Sequence, residues 1–397
     1  MRFPNHPEFG HLTYCTNIHP GETWPEVLAV LRKNLAAIRN EAAPGAPFGL
    51  GLRLGAPAAE ALRAEAEFAE LQSLLDAENC YVFTINGFPY GSFHGRRVKE
   101  DVYAPDWSTA ERLAYTNGLA DILARLLPQG VSGSISTVPG TFAALAAGRV
   151  EAITENLVRH AAHLVALHER TGTNIALTLE PEPCCFLETI EETARYFETG
   201  LFGGKAVASL AKMTGLSRGN AADALRRHLG VCYDVCHAAV EFEDPRASLD
   251  LLRSKGIAIP KLQLSSALRV ESVGQETAAQ LRPFDERVYL HQVVAKNASG
   301  LVRYLDLPQA LADIDRTLGS EWRIHFHVPV FLDEMEHFST TQDFLREILA
   351  LHRERPISEH LEVETYTWDV LPERYRGTPV STAIARELNW VRQQLET

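Results

Sequence analysis

Five apolar runs in the second half of the chain each stop at residues that can bind a metal. They read IALTLEPEP with Glu180, GVCYDVCH with Asp234 and His237, PKLQLSSA with Gln263, RIHFHVPV with His325 and His327, and HLEVETYT with Glu364. An apolar, β-branched run that ends in a carboxylate or imidazole is how a parallel barrel strand delivers a ligand to the mouth. Side chains two apart on a strand share a face, so His325 and His327 point the same way. Asp234 and His237 are three apart, where the run breaks into a turn that can swing the imidazole back to the carboxylate. Taken singly, each carboxylate is as well explained as a salt-bridged strand terminus. Taken together, they read as a coordination shell assembled strand by strand.

The donors are two Glu, one Asp, two or three His and the Gln263 amide oxygen, with no sulfur. Such a set suits Mn²⁺, Mg²⁺, Co²⁺, Fe²⁺ or Zn²⁺ rather than copper. A divalent ion held there polarises a carbonyl and its neighbouring hydroxyl. Glu180 and Glu364, flanking the bound carbons, can then move a proton between them as base and acid. The alternative chemistry is metal-activated water attacking a phosphoester. A third reading is non-catalytic: a metabolite-binding protein on a barrel whose metal site is weakened at Gln263.

The elements that would position these residues alternate along the chain. Strand-like runs fall at 11–17, 48–54, 80–86, 131–137, 174–180, 230–234, 260–265, 322–328 and 360–367, with helical patterns between most of them. The first helix, 25–39, sets Val27, Leu28, Leu31, Leu35 and Ile38 on one face, with Thr23 as its cap. Alternation of this kind specifies an α/β fold with a parallel sheet, here a (β/α)8 TIM barrel. There are nine runs for eight ring positions, and the surplus is expected among the first two. GLGLRLGAP after the second run is neither G-x-G-x-x-G nor a P-loop, which argues against a doubly wound nucleotide-binding sheet. No composition break divides residues 1–397, so a single domain is expected, with a helical insertion at about 200–229. Part of that insertion, 207–230, reads either as a helix-turn-helix or as a plain helical hairpin.

The segment NGFPYGSFHGRRVKEDVYAPDW, 86–107, follows an early strand and should cover the mouth. Asn86, Tyr90, His94, Lys99 and Trp107 are its candidates for binding a polyhydroxylated ligand, with Lys99 suited to a phosphate. Asn17 and His19 end the first run and can reach the same mouth. His237 and His325 are candidates for substrate contact as well. The alternative is a loop packed on its own aromatics.

Composition narrows the partners. The 397 residues are 46% hydrophobic with a net charge of −13, a poor match to a phosphate backbone. Six cysteines without a C-x-x-C spacing read as small buried hydrophobes of a reducing compartment. MRFPNHPEFG lacks a basic segment followed by an apolar one, and no apolar run approaches the ~18 residues of a membrane span. The expectation is a cytoplasmic protein that handles a small metabolite, with neither nucleic acid nor a membrane span.

The order Glu180, Asp234-x-x-His237, a usual His position, x-x-His327 and Glu364 resembles the xylose-isomerase-like TIM-barrel superfamily. That group holds sugar isomerases, ketose 3-epimerases and endonuclease-IV-type enzymes. The resemblance implies that Glu180 and Glu364 are both metal ligands and proton-transfer residues, that Asp234 is a ligand, and that His237 lies near substrate. HLTYCTNIHPGETW, the 86–107 segment, TLEPEP, CYDVCH and HFHVP are further similar to the EboE-type metabolite traffic proteins, over nearly the whole chain. That likeness implies a biosynthetic operon as context rather than a chemistry. Two departures stand out. Gln263, with Ser265 nearby, occupies the usual His position, and His325 replaces an Asp of the endonuclease pattern.

Overall fold

Strands buried on both faces need partners on both edges, and here they close on themselves. The computed structural model describes residues 1–95 and 97–397. Seven ring strands come first: β1 (His11–Tyr14), β2 (Phe48–Arg53), β3 (Cys80–Asn86), β4 (Gly133–Thr137), β5 (Ile175–Leu179), β6 (Leu229–Asp234) and β7 (Lys261–Leu264). The chain then leaves the ring through β8 (Leu268–Val270), β9 (Val293–Asn297), β10 (Gly300–Tyr304), β11 (Glu321–Ile324), β12 (Glu334–Met335) and β13 (Phe338–Thr340). It returns as β14 (His360–Val363). The ring order is β1-β14-β7-β6-β5-β4-β3-β2, all parallel, and a parallel bridge between Cys15 and Gly51 joins its two ends. This is the (β/α)8 barrel expected from the alternation of runs.

The surplus run is not one of the first two. It is 322–328, which contributes β11 to a separate six-stranded sheet of order β10-β9-β11-β8-β13-β12. The physical reason lies in its burial. Residues of β11 alternate between buried and half-buried, whereas β1, β2, β4, β5, β6, β7 and β14 are buried at every position. A strand with one wet face pairs antiparallel on the outside, and β11 pairs antiparallel with β8 and β9.

Helices cover the ring. The first, Trp24–Ala42, begins where Glu26 Oε2 accepts the Thr23 N–H at 2.9 Å, and it buries Val27, Leu28, Leu31, Leu35 and Ile38. The insertion forms two helices, Gly204–Thr214 and Arg218–His228, packed on each other and on Val150–Thr171. Their hairpin is a bulwark on the barrel flank. No helix among the described residues is long and apolar enough to cross a membrane.

Parallel strands put all their C-terminal ends at one mouth. Asn17 follows β1, Asn86 ends β3, Glu180 follows β5, Asp234 ends β6 and Glu364 follows β14. The excursion reaches the same place. The His325 N–H donates to Gln292 O at 2.8 Å and the Val328 N–H to Ser266 O at 2.9 Å. That pairing lays His325 and His327 across the mouth.

Candidate metal centre

The donors sort into a nitrogen side and an oxygen side. On the nitrogen side, the ring Nδ1 of each histidine faces an acceptor. His237 Nδ1 lies 2.9 Å from Pro181 O, His327 Nδ1 3.0 Å from Glu364 O, and His325 Nδ1 2.7 Å from Gln292 Oε1. The Gln292 amide is oriented by its own donors, since Nε2 donates to Tyr103 OH at 3.1 Å and Pro183 O at 3.2 Å. All three Nδ1 atoms are therefore placed to donate, and all three Nε2 atoms turn inward. His325 Nε2 lies 3.1 Å from both His237 Nε2 and His327 Nε2. Imidazoles sharing a tetrahedral Zn²⁺ at 2.0–2.1 Å would stand about 3.3 Å apart. Burial and the neighbouring imidazoles hold His325 well below the ordinary imidazole range, and burial takes His327 down to about 4. Burial also opposes charge on His237, but Asp234 and Glu182 outweigh it and raise this group.

On the oxygen side, carboxylate oxygens of Glu180, Asp234 and Glu364 lie within 4.8 Å of one another, all buried. Glu364 Oε1 accepts the amide of Asn17 at 2.6 Å and that of Asn86 at 3.1 Å. Asp234 Oδ1 accepts the His237 N–H at 3.1 Å and the Ser265 hydroxyl at 2.7 Å. Glu180 Oε2 and Asp234 Oδ2 are buried without a hydrogen-bond partner. Burial, then the charges of Glu364 and Asp234, push Glu180 well above the usual carboxylate range. Burial and Asp234 push Glu364 up to about 8. Three crowded buried carboxylates with orphaned oxygens fit a cation. Asp234 joins the two sides, since it also lies within 4.8 Å of His237 and His327 donors.

Every metal-ligand candidate from the sequence reaches this mouth, but two stand differently from the expectation. His325, read as a substrate contact, places its Nε2 among the imidazole donors. Gln263 sits on β7 in register with Asp234 and Glu362, its amide buried with neither atom in a hydrogen bond.

Beneath an aromatic roof lies a cavity lined among others by Asn17, Asn86, Glu180, Glu182, His325 and Glu364. Lys99 lines it too, but its Nζ is paired with Asp306 at 2.6 Å and donates to Glu286 O at 3.3 Å. Four of the substrate-binding candidates lie outside the lining. Trp107 is fully buried, donating Nε1–H to Thr137 Oγ1 at 3.0 Å. Tyr90 packs edge-on against Tyr115. His19 faces Tyr14 OH at 3.3 Å. His94 braces the roof, with Nε2 2.6 Å from Asn17 O and Nδ1 2.9 Å from Tyr289 OH. The segment's rings thus pack largely on aromatics of other elements, among them Tyr115, Phe142, His160, Tyr289 and Tyr366. Sequence reasoning missed Glu182, Gln292 and Tyr366. Only Glu182 had a signal, two residues beyond Glu180 in TLEPEP.

Known structures share this architecture. A xylose isomerase-like TIM barrel protein from Mycobacterium smegmatis, in complex with magnesium, superposes with a TM-score of 0.52 at 10% identity, covering 97% of this chain and 96% of that one. The fold is that of a xylose-isomerase-like TIM barrel. An IOLI protein with a bound zinc atom gives a TM-score of 0.45 at 14% identity over 97% of this chain and 98% of that one. A D-tagatose 3-epimerase-like protein gives 0.45 at 12% identity over 97% of both. No protein-family model and no curated protein matches the chain.

The barrel's nitrogen side depends on Gln292 to fix the His325 tautomer. Gln292→Leu is expected to weaken metal binding roughly 10–100-fold, as loss of a group orienting a ligand does. Competition against a chelator of known affinity checks it. Unchanged affinity would mean that His325 Nε2 is not a donor.

Proposed function

We propose that this protein is a metal-dependent isomerase or epimerase acting on a small polyhydroxylated metabolite. The observation that supports this best is the placement of Glu180 and Glu364. They are buried carboxylates following β5 and β14, three places apart in the ring, with donor oxygens within 4.8 Å of each other, beside the roofed cavity. Glu180, Asp234 and Glu364 would hold a divalent ion, Mn²⁺, Mg²⁺, Co²⁺, Fe²⁺ or Zn²⁺, with His327, His237 and His325 as further donors. Bound there, such an ion polarises a substrate carbonyl and the hydroxyl beside it. Glu364 Oε1 is occupied by two amide donors, which leaves its Oε2 to take a proton from one substrate carbon. Glu180 Oε2 has no protein partner and returns a proton at the neighbouring position. Asn17 and Asn86 fix the Glu364 carboxylate, and Tyr366 with the roof keeps bulk water out. The magnesium of the Mycobacterium smegmatis barrel supports a metal enzyme, and the likeness to EboE-type metabolite traffic proteins supports a biosynthetic context.

A second reading is favoured by the three imidazoles beside the three carboxylates, which offer positions for two ions. Two clustered ions suit a phosphoesterase. Metal analysis of protein purified without chelator separates the readings. One ion per chain is expected for the isomerase, two for the hydrolase, and none for a metabolite-binding protein. Stripping the ion is also expected to lower Tm by roughly 5 °C, because a ligand of the folded state alone stabilises it by mass action. An unchanged Tm would count against a tightly held metal.

A further inference from the structure

The cavity has a sharply divided lining. Its floor is acidic, with Glu180, Glu182 and Glu364, while its roof is aromatic and apolar. Phe93, Tyr289 and Tyr366 of that roof pack on one another with ring centroids 5.0–5.2 Å apart, in an apolar cluster separate from the main core. Among the described residues, Lys99 is the one Lys or Arg on the lining, and Asp306 takes its charge. The Asn17 and Asn86 amides are both spent on Glu364. No Lys or Arg on the described lining is left free to meet a phosphate.

Glu182 adds a specific acceptor. It is 5% exposed, and its Oε1 is held by Tyr103 OH at 2.8 Å. Its Oε2 is buried without a partner, and the residue lines the cavity. A fixed carboxylate oxygen of this kind accepts from a hydroxyl or an ammonium and repels an anion.

We propose that the substrate is amphiphilic and unphosphorylated, with a hydroxylated or amine-bearing end read by Glu182 and an apolar end under the Phe93–Tyr289–Tyr366 roof. The inference rests on the reading of the mouth as a metal site for polyhydroxylated compounds. It narrows the class to neutral or cationic compounds carrying an apolar substituent.

Calorimetry on magnesium-loaded protein with three probes tests it: glucose, phenyl β-glucoside and glucose 6-phosphate. The phenyl glucoside is expected to bind about tenfold or more tighter than glucose, from ring burial under the roof. Glucose 6-phosphate is expected to bind about tenfold or more weaker than glucose, from charge repulsion. In Glu182→Gln the phosphate penalty should shrink at least about threefold, with metal content per chain unchanged. A phosphate ester that binds as well as glucose overturns the proposal, as does a phenyl glucoside no tighter than glucose, or no binding of any probe at millimolar concentration. Metal loss in Glu182→Gln also overturns it, by making Glu182 a ligand. None of these readouts needs turnover. If the metal reading fails instead, the protein takes up no metal while the ranking of probes measured on the metal-free protein still holds.

Discussion

Glu180→Gln is expected to lower deuterium wash-in at the carbon that Glu180 protonates by roughly 10³-fold, the scale of a lost general acid or base. It should do so without harming the metal-free fold. The two effects have one origin. Glu180 is buried beside Glu364 and Asp234, and its Oε2 has no partner. Burial and those two charges already oppose its ionisation when no cation is bound. A glutamine of the same shape removes a repelling charge, so the metal-free variant should melt at or above the wild-type temperature. The amide can neither take nor release the proton at neutral pH, so exchange should collapse. Deuterium wash-in followed by NMR reads the chemistry, and calorimetry reads the fold. Exchange within about tenfold of wild type would sink the role given to Glu180. A metal-free variant that melts far lower would show that the carboxylate supports the fold instead.

The ring was legible because its strands are buried on both faces, and continuous apolar runs announce that. The misplaced run, 322–328, carried a different signature. Trp322, Ile324, Phe326 and Val328 alternate with Glu321, Arg323, His325 and His327. Period-two alternation belongs to an antiparallel strand with one wet face, and weighing it would have put this run outside the ring. The same misplacement hid the role of His325. On a barrel strand, an H-x-H pair would divide naturally between metal and substrate. Laid across the mouth by its pairing with 292 and 266, it turns both imidazoles to one point. Gln292 could not have been found from sequence. Its meaning comes from antiparallel pairing between segments more than thirty residues apart, which no local pattern encodes. The aromatic loop was correctly placed over the mouth, but individual side chains such as Trp107 and Tyr90 turned inward to the core. Composition places a loop; it does not say which rings face the ligand.

Lys261→Met is expected to destabilise the barrel by about 3–5 kcal/mol, the scale for stranding one charge of a buried pair. Lys261 sits on β7 and Glu362 on β14, inside the ring below the candidate metal centre. Both are fully buried, with Nζ 2.6 Å from Glu362 Oε1 and 3.1 Å from Ser136 Oγ. The ring makes room for this pair at Gly51, where a Cβ would collide with Glu362 Oε2. With the ammonium gone, Glu362 must ionise unpaired in a dry interior or take up a proton. Burial without a counter-charge favours the protonated form in the fold, so the folded variant binds more protons than the unfolded chain and gains stability as pH falls. The variant should therefore recover stability on acidification from pH 7 to 5 more than the wild type does. Adding Glu362→Leu removes the stranded carboxyl, and the double variant should regain much of the loss, since apolar replacement of a buried pair is often neutral. Urea unfolding of the two single variants and the double at both pH values measures all of this. A near-neutral Lys261→Met at pH 7 would mean that water reaches the pair. A double variant as weak as the single would mean that the two side chains hold the ring open by their shape and not by their charge.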